Sequence, residues 1–413
     1  MSRPCTCDRC TKGSAFVQGD CFPCWKYWND PLYKELWDGP DKTVKHMPVI
    51  QCPYLGPEVK TESGETKTNE CESCGGKTRL KVFQCTHPAR EPDEVTMGDC
   101  KFCAYRPKHP DAKPIILKNH LSPGDVTCMS AAIYSLHKAH PDKFQTAVDT
   151  SCNAVYEHNP DVIPLAKALE MGAEKIEMHY NAVHECNQRA IHFMEAYCEH
   201  LENCLNLRIP LKTNKPHVYL SKNEKSWMSQ VQEMTGKPTK YFLINSGTKK
   251  DYTAKQWPYY QELVDKLQGK ILFVQVGKSE HVHKPLKGVL NLLDKTDDRQ
   301  LIRLVAHCEG VVCGTTWLMH LAAAFDKPSM ILGGGREPRP WNAYPRQNLF
   351  SMVGMLPCCR ESCWKSRVVK LGDGDSKDNE LCEYPAFTDP PAPKCMAMIH
   401  ADEVAGKILQ FQS

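Results

Sequence analysis

GVVCGTTWLMHLAAAFDKPSMILGGG, residues 310–335, decides the fold. Residues 310–313 and 329–332 are short apolar runs of the strand type, and residues 316–325 between them are apolar at helical spacing. Two strands joined by one helix within so short a span form a parallel crossover. The pattern continues toward the N-terminus. Residues 298–307 read as a helix with Leu301, Leu304 and Val305 inward, 271–276 as a strand, 257–267 as a helix begun near Pro258, and 241–244 as a strand. Residues 206–222, with Pro210 and Pro216 and little periodicity, read as a linker. Before it the same logic recurs: a strand at 115–117, a polar turn at 119–125, and a helix carrying Val126, Met129, Ile133, Leu136 and His137. His140-Pro141-Asp142 ends that helix, strands follow at 144–148 and 175–179, and a helix from about residue 188 carries Ile191, Met194, Cys198, Leu201 and Leu205. Strands alternating with helices predict an α/β protein with two Rossmann-like domains, 114–222 and 223–413, facing a cleft. No GxGxxG follows the first strand of either half, which removes the main support for a dinucleotide dehydrogenase.

Residues 1–113 differ in kind. Of the 413 residues 23 are cysteine; eleven precede residue 114, five crowd the tail, and seven are scattered between. Cys7-x-x-Cys10 with Cys21-x-x-Cys24, and Cys71-x-x-Cys74 with Cys100-x-x-Cys103, form two paired sets. Each pair lets two thiolates face one ion from a tight turn, and two turns complete a tetrahedral zinc site. Cys5, Cys52 and Cys85 could substitute as ligands. The region is turn-rich with few long apolar periods, so structural zinc would replace much of its core and make it zinc-ribbon-like. Cys358, Cys359, Cys363, Cys382 and Cys395 flank a Gly- and Asp-rich stretch, where a further metal or a cross-link would hold the chain. The start, MSRPCTCDRC, has no apolar signal core, and no stretch nears the ~18 apolar residues of a membrane span. The expectation is a cytoplasmic protein with no transmembrane segment, in which clustered thiols bind metal; disulfides in an exported protein are the other reading. Lys plus Arg is 52 against 49 for Asp plus Glu, so no global basic field demands nucleic acid.

Three places could carry chemistry. Gly124-Asp125 sits where the first strand gives way to its helix, at the sheet end where open α/β domains bind ligands. Asp125 could act as a general base, or it could cap the helix that starts at Val126. Gly314-Thr315-Thr316 is a small-residue loop before a helix N-terminus, which favours an anion, and His320 lies one turn on from Thr316. A diphosphate would fit there, and simple capping with His320 packed in the core is the alternative. Thr248, Lys249, Lys250 and Lys255 share one loop after a strand, a phosphate site or a solvated surface loop. Glu280, just past the strand ending at Val276, could accept from a ribose or base.

In order, these pieces resemble the bacterial heptosyltransferases, glycosyltransferase family 9, over about residues 113–335. The resemblance rests on Gly124-Asp125 followed by a helix and His140-Pro141, on Lys255-Gln256-Trp257-Pro258, on residues 276–280, and above all on residues 316–324 with Lys327-Pro328 and the glycine run 333–335. It implies the GT-B fold and inverting transfer from a nucleotide-sugar. The N-terminal half would then hold the acceptor, a saccharide or a macromolecule, and the C-terminal half the donor. Asp125 would match the catalytic base, Lys255 the donor-phosphate lysine and Glu280 the nucleoside contact, with Thr315, Thr316 and His320 on the diphosphate. Where the family usually has Asp, then Ser or Thr, then Gly, this chain has Thr315, Thr316 and Trp317. No catalytic metal is expected, because cation and helix dipole neutralise the leaving group. Two other readings stay open: a glycosyltransferase acting on modified DNA bases, with zinc modules holding nucleic acid, and a non-catalytic zinc-ribbon binding protein.

Overall fold

The computed structural model describes residues 112–411 and five short strands ahead of them. The chain divides into two compact units, Met1–Pro107 and Lys108–Ser413. In the first unit, β1 (Leu55–Glu58), β4 (Val82–Cys85) and β5 (Glu94–Thr96) form an antiparallel sheet in the order β1-β4-β5, and β2 (Thr68–Glu70) pairs with β3 (Lys77–Arg79) as a hairpin. Cys71-x-x-Cys74 falls, in sequence, between those two paired strands. Cys7, Cys10, Cys21, Cys24, Cys71, Cys74, Cys100 and Cys103 lie outside the described residues.

The second unit starts its first sheet with β6 (Lys113–Asn119), one residue before the boundary read from sequence. Ile115, Ile116 and Leu117 have no exposed surface. Consecutive buried residues mean that both faces of the strand are covered, as in a parallel sheet. After β6 come α1 (Pro123–Ala139), β7 (Phe144–Thr150), α2 (Leu165–Glu170), β8 (Glu174–Glu177) and α3 (Phe193–Leu205). The sheet is parallel, ordered β7-β6-β8. Short helices α4 (Lys222–Ser226) and α5 (Gln230–Thr235) lead into the second sheet. That sheet contains β9 (Phe242–Asn245), β10 (Phe273–Gln275), β11 (Leu290–Asn291), β12 (Gly310–Gly314), β13 (Ser329–Gly334) and β14 (Gln347–Ser351). Its order is β11-β10-β9-β12-β13-β14, parallel throughout. Helices α6 (Tyr260–Lys266), α7 (Asp298–His307) and α8 (Trp317–Ala324) cross between its strands.

The two sheets do not belong to two separate bodies. One apolar core runs from Ile115, Val126 and Met129 of the first half to Leu243, Val311, Leu318 and Ile331 of the second. Polar ties reinforce it. Trp317 Nε1 donates to Thr127 Oγ1 at 2.8 Å. Arg299 donates to Glu224 and to the carbonyls of Ala154 and Tyr219.

The structure departs from the sequence reading at the start of α3 and in the tail. The helix expected from about residue 188 starts at Phe193, because a separate turn spans Asn181–His184 and His192 takes the N-cap. The last helix is α10 (Ala401–Gln410), preceded by α9 (Lys394–Ala397). Val404 and Ile408 pack into the core, whereas Phe411 lies past the end of α10 and is exposed. The Gly- and Asp-rich tail is held without a cross-link, since all five tail cysteines are free thiols. Arg367, with no exposed side-chain surface, donates to Asp251, Asp373 and Asp378. Asp378 in turn accepts the N–H groups of Leu371 and Gly372. Asp251, Asp373 and Asp375 bring their oxygens within 4.8 Å of one another, and Arg367 and Lys377 neutralise them.

Candidate active site

Asp125 is not the N-cap of α1. Pro123 occupies the first turn, so the cap falls on Ser122 and Asp125 stands three residues on. It closes a capping box by accepting the Ser122 N–H at 3.0 Å. Its carboxyl titrates above the ordinary range because burial disfavours the charge; a hydrogen bond from the Tyr180 hydroxyl and the nearby Lys255 ammonium only partly oppose this. Gly124 is needed beside it, since a Cβ there would stand 3.1 Å from the His320 ring.

Lys255 ends the turn Lys250–Lys255, and its side chain reaches inward. Nζ donates to the Thr315 carbonyl at 3.1 Å and sits 2.9 Å from Glu337 Oε1. Burial lowers its pKa, and the Glu337 carboxylate opposes that. Thr316 is the N-cap residue of α8, yet its side chain makes no capping bond; its buried hydroxyl has no nitrogen or oxygen partner and lies against the Cys313 thiol. The buried Thr248 hydroxyl likewise has no partner. Lys249, exposed, donates across to Ser122 Oγ at 3.1 Å. These contacts bring the start of α1, Lys255 and the start of α8 into one site.

Two residues read from the sequence stand differently. His320 is packed: Nδ1 is 2.7 Å from the Tyr344 hydroxyl and 3.2 Å from the Cys128 thiol. Burial pushes its pKa down to about 3, so the ring is neutral, and its Nδ1 edge serves the contact between the halves. Glu280 sits in the turn Ser279–His281 with its side chain 69% exposed and the His281 ring 3.7 Å away.

Sequence reasoning missed Glu337, Asn342, Tyr180 and His283. Glu337 follows β13, and its carboxyl is held down at about 2: burial raises it, but Lys255 and Arg336 outweigh burial. Asn342 Nδ2 donates to Oε2 at 2.7 Å. His283 lies under the loops after β9 and β10, where a Cβ on Gly247 or Gly277 would come within 2.1 and 2.4 Å of its ring. The available signal was positional, since β9, β10, β12 and β13 all end at this edge of the sheet, where ligands bind.

Cys358, Cys359, Cys363, Cys382 and Cys395 line one pocket with Arg336 and Lys365. Burial raises the thiols of Cys363 and Cys382, and it pushes Cys358 up to about 11 and Cys395 to about 12. Cys363, Cys382 and Cys395 each accept a backbone N–H, from Lys365, Tyr384 and Gly335, which favours their thiolate form. Cys359 instead donates to the carbonyls of Met352 and Leu356. The sulfurs are not drawn to a common centre; among the described residues, the ligand atoms grouped within 4.8 Å are the acidic ones above.

A half-buried carboxylate, a lysine and a helix start with no side-chain cap thus meet in one site. Residues 170–367 match the model of glycosyltransferase family 9 (heptosyltransferase). The match includes Lys255, Glu280, Thr316 and His320 and begins after Asp125. A lipooligosaccharide heptosyltransferase 2 of Haemophilus ducreyi is 30% identical over 96 residues, covering 19% of this chain and 27% of that protein. Its counterpart in Haemophilus influenzae is 32% identical over 100 residues, covering 21% and 29%. The chain thus spans under a third of the length of these curated relatives. A glycosyltransferase family 9 protein from Veillonella parvula shares the fold, with TM-score 0.50 and 12% identity over 74% of this chain and 98% of that one. The matches support glycosyltransferase family 9, and the two parallel sheets are GT-B-like. Among the described residues no helix is long and apolar enough to cross a membrane.

Proposed function

We propose that this chain is an inverting glycosyltransferase that moves a sugar from a nucleoside-diphosphate sugar to a hydroxyl acceptor. The observation that carries the reading is the meeting of Asp125 with Lys255 and the start of α8, which no side chain caps, in one site. The acceptor oxygen attacks the anomeric carbon while the bond from that carbon to the diphosphate oxygen breaks. Asp125 takes the hydroxyl proton, and the leaving diphosphate carries away the electron pair. Its growing charge meets the Lys255 ammonium, the Thr316 hydroxyl and the N–H groups that open α8. A carboxyl held above its ordinary range accepts a proton well near neutral pH. Thr248 and Lys249 would border the donor, and Glu280 and His320 would take the nucleoside and diphosphate roles the family resemblance gives them. Nucleotide-linked heptose donors and a saccharide acceptor are the first candidates, given the names of the relatives, and ADP serves as the nucleoside-diphosphate probe.

Zinc is proposed as a structural ion. In the tail, Cys358, Cys363, Cys382 and Cys395 offer four soft donors on one pocket, three of them with an N–H aimed at the sulfur. Cys359, already a donor to two carbonyls, is left out of the set. In the front unit the four Cys-x-x-Cys pairs are the proposed ligands, and the cytoplasm, which keeps such thiols reduced, is the proposed location.

The test is a panel of nucleotide-sugars, read by thermal stabilisation and by release of nucleoside diphosphate. A bound donor raises the melting temperature by mass action. One donor should stabilise the protein and be turned over when an acceptor is present. No stabilisation by any nucleotide-sugar would overturn the reading.

A further inference from the structure

The tightest charged cluster near the site is built on a residue that the mechanism above does not use. Glu337 leaves the end of β13, and its side chain is only 9% exposed. Both of its oxygens are taken. Oε1 faces Lys255 Nζ at 2.9 Å and also accepts from Arg336 Nη1, while Oε2 accepts from Asn342 at 2.7 Å. Arg336 is fixed in its turn: its guanidinium lies over the rings of Tyr252 and Trp364, and its Nε donates to the Lys365 carbonyl. An ammonium has three N–H donors. Glu337 and the Thr315 carbonyl take two from Lys255, which leaves the third for an incoming anion.

We propose that Glu337 is a positioning residue for Lys255, its buried carboxylate holding the ammonium charged and aimed at the start of α8. The proposal rests on the reading of Lys255 as the donor-diphosphate cation and gives that reading a support outside the motif. The groups facing Lys255 can be taken in turn. Asp125 approaches from α1, Glu337 and Arg336 from the loop after β13, the Thr315 carbonyl from the loop before α8, and the Tyr252 ring from its own turn at 5.9 Å. His320 from α8 is neutral. Burial and Arg336 push Lys255 toward the neutral amine, and Glu337 with Asp125 pushes it back. Without the Glu337 charge, Lys255 gives up its proton at lower pH. A neutral amine no longer attracts a diphosphate, so binding is lost earlier on the alkaline side.

ADP binding by the full-length protein, measured by calorimetry from pH 6 to pH 10, tests this. Lys255→Met is expected to weaken ADP about tenfold or more near neutral pH. Glu337→Gln is expected to bring the alkaline fall of affinity down by about one pH unit or more, and Glu337→Asp to restore part of it. Arg336→Gln, which removes the opposing cation and keeps Glu337, moves that fall the other way, so the idea stays testable if Glu337→Gln does not fold. Unchanged ADP affinity in Lys255→Met would overturn the diphosphate role of Lys255 and the inference with it. Weakened binding in Lys255→Met with an alkaline fall unmoved in Glu337→Gln, or in Arg336→Gln, would overturn the inference alone.

Discussion

Asp125 has a structural place and a proposed chemical one, which a single substitution separates. Its oxygen closes the capping box of α1, and its basicity is raised by burial. Asparagine can still accept the Ser122 N–H but cannot take a proton from an acceptor. Asp125→Asn should therefore melt near the wild-type temperature, keep ADP binding, and turn over about 100-fold more slowly or worse. The pH profile adds a sign. A base works when deprotonated, so wild-type activity should climb with pH through an apparent pKa above the usual carboxylate range, and the variant should lose that climb. A wild-type rate in Asp125→Asn, with the correct donor and acceptor, would remove Asp125 from the mechanism. Asp125 and Thr316 could be picked out because each follows a strand end whose apolar run is plain in the sequence, and Lys255 because of its lysine-rich loop after a strand and the family resemblance. Glu337, Asn342 and Tyr180 could not. Their partners are set by tertiary contacts between distant segments, and a lone charged or polar residue in a loop carries no periodicity.

Helix α8 starts without a side-chain cap, and the proposed donor site would use that start. Thr316 holds extended dihedrals at the N-cap, where a hydroxyl usually accepts an N–H of the first turn, and here it does not. Thr316→Val keeps the β-branched shape and loses only the hydroxyl. Because no capping bond is lost, stability should stay within about 0.5 kcal/mol, where loss of a working cap costs about 0.5–2 kcal/mol. ADP affinity, in contrast, should fall. A clear loss of melting temperature with ADP affinity intact would make the hydroxyl a cap and remove it from the donor site. The elements themselves were read where burial is continuous: α7 spans Asp298–His307 as its apolar spacing indicates. They were missed at the sheet edges. In β14 one residue of five, Phe350, is buried, and β11 has two residues, so neither leaves an alternation to read.

At the scale of the molecule, the apolar core and the proposed zinc belong to different units. Residues 108–413 rest on a continuous apolar core, so the two α/β halves separated on the sequence by residues 206–222 share one interior. Spacing shows each half's periodicity but not that their helices pack on one another, as α1 and α8 do through Trp317 and Thr127. The described strands of the front unit have three or four residues, and eleven cysteines precede residue 114 in the chain, so the zinc proposed for it would do there what side-chain burial does elsewhere. The full chain, purified without added metal, should carry about three zinc ions, two or more from the front pairs and one from the tail pocket. Cys71→Ser with Cys74→Ser should lower the count, and Cys363→Ser should lower it separately. Chelation should then open the two units in order. Proteolysis should reach residues 1–107 first, while the apolar core keeps 108–413 resistant. A zinc content below about one per chain would sink the metal reading of both regions. Full zinc with Cys363→Ser unchanged would confine it to the front unit and leave the tail to Arg367 and its aspartates.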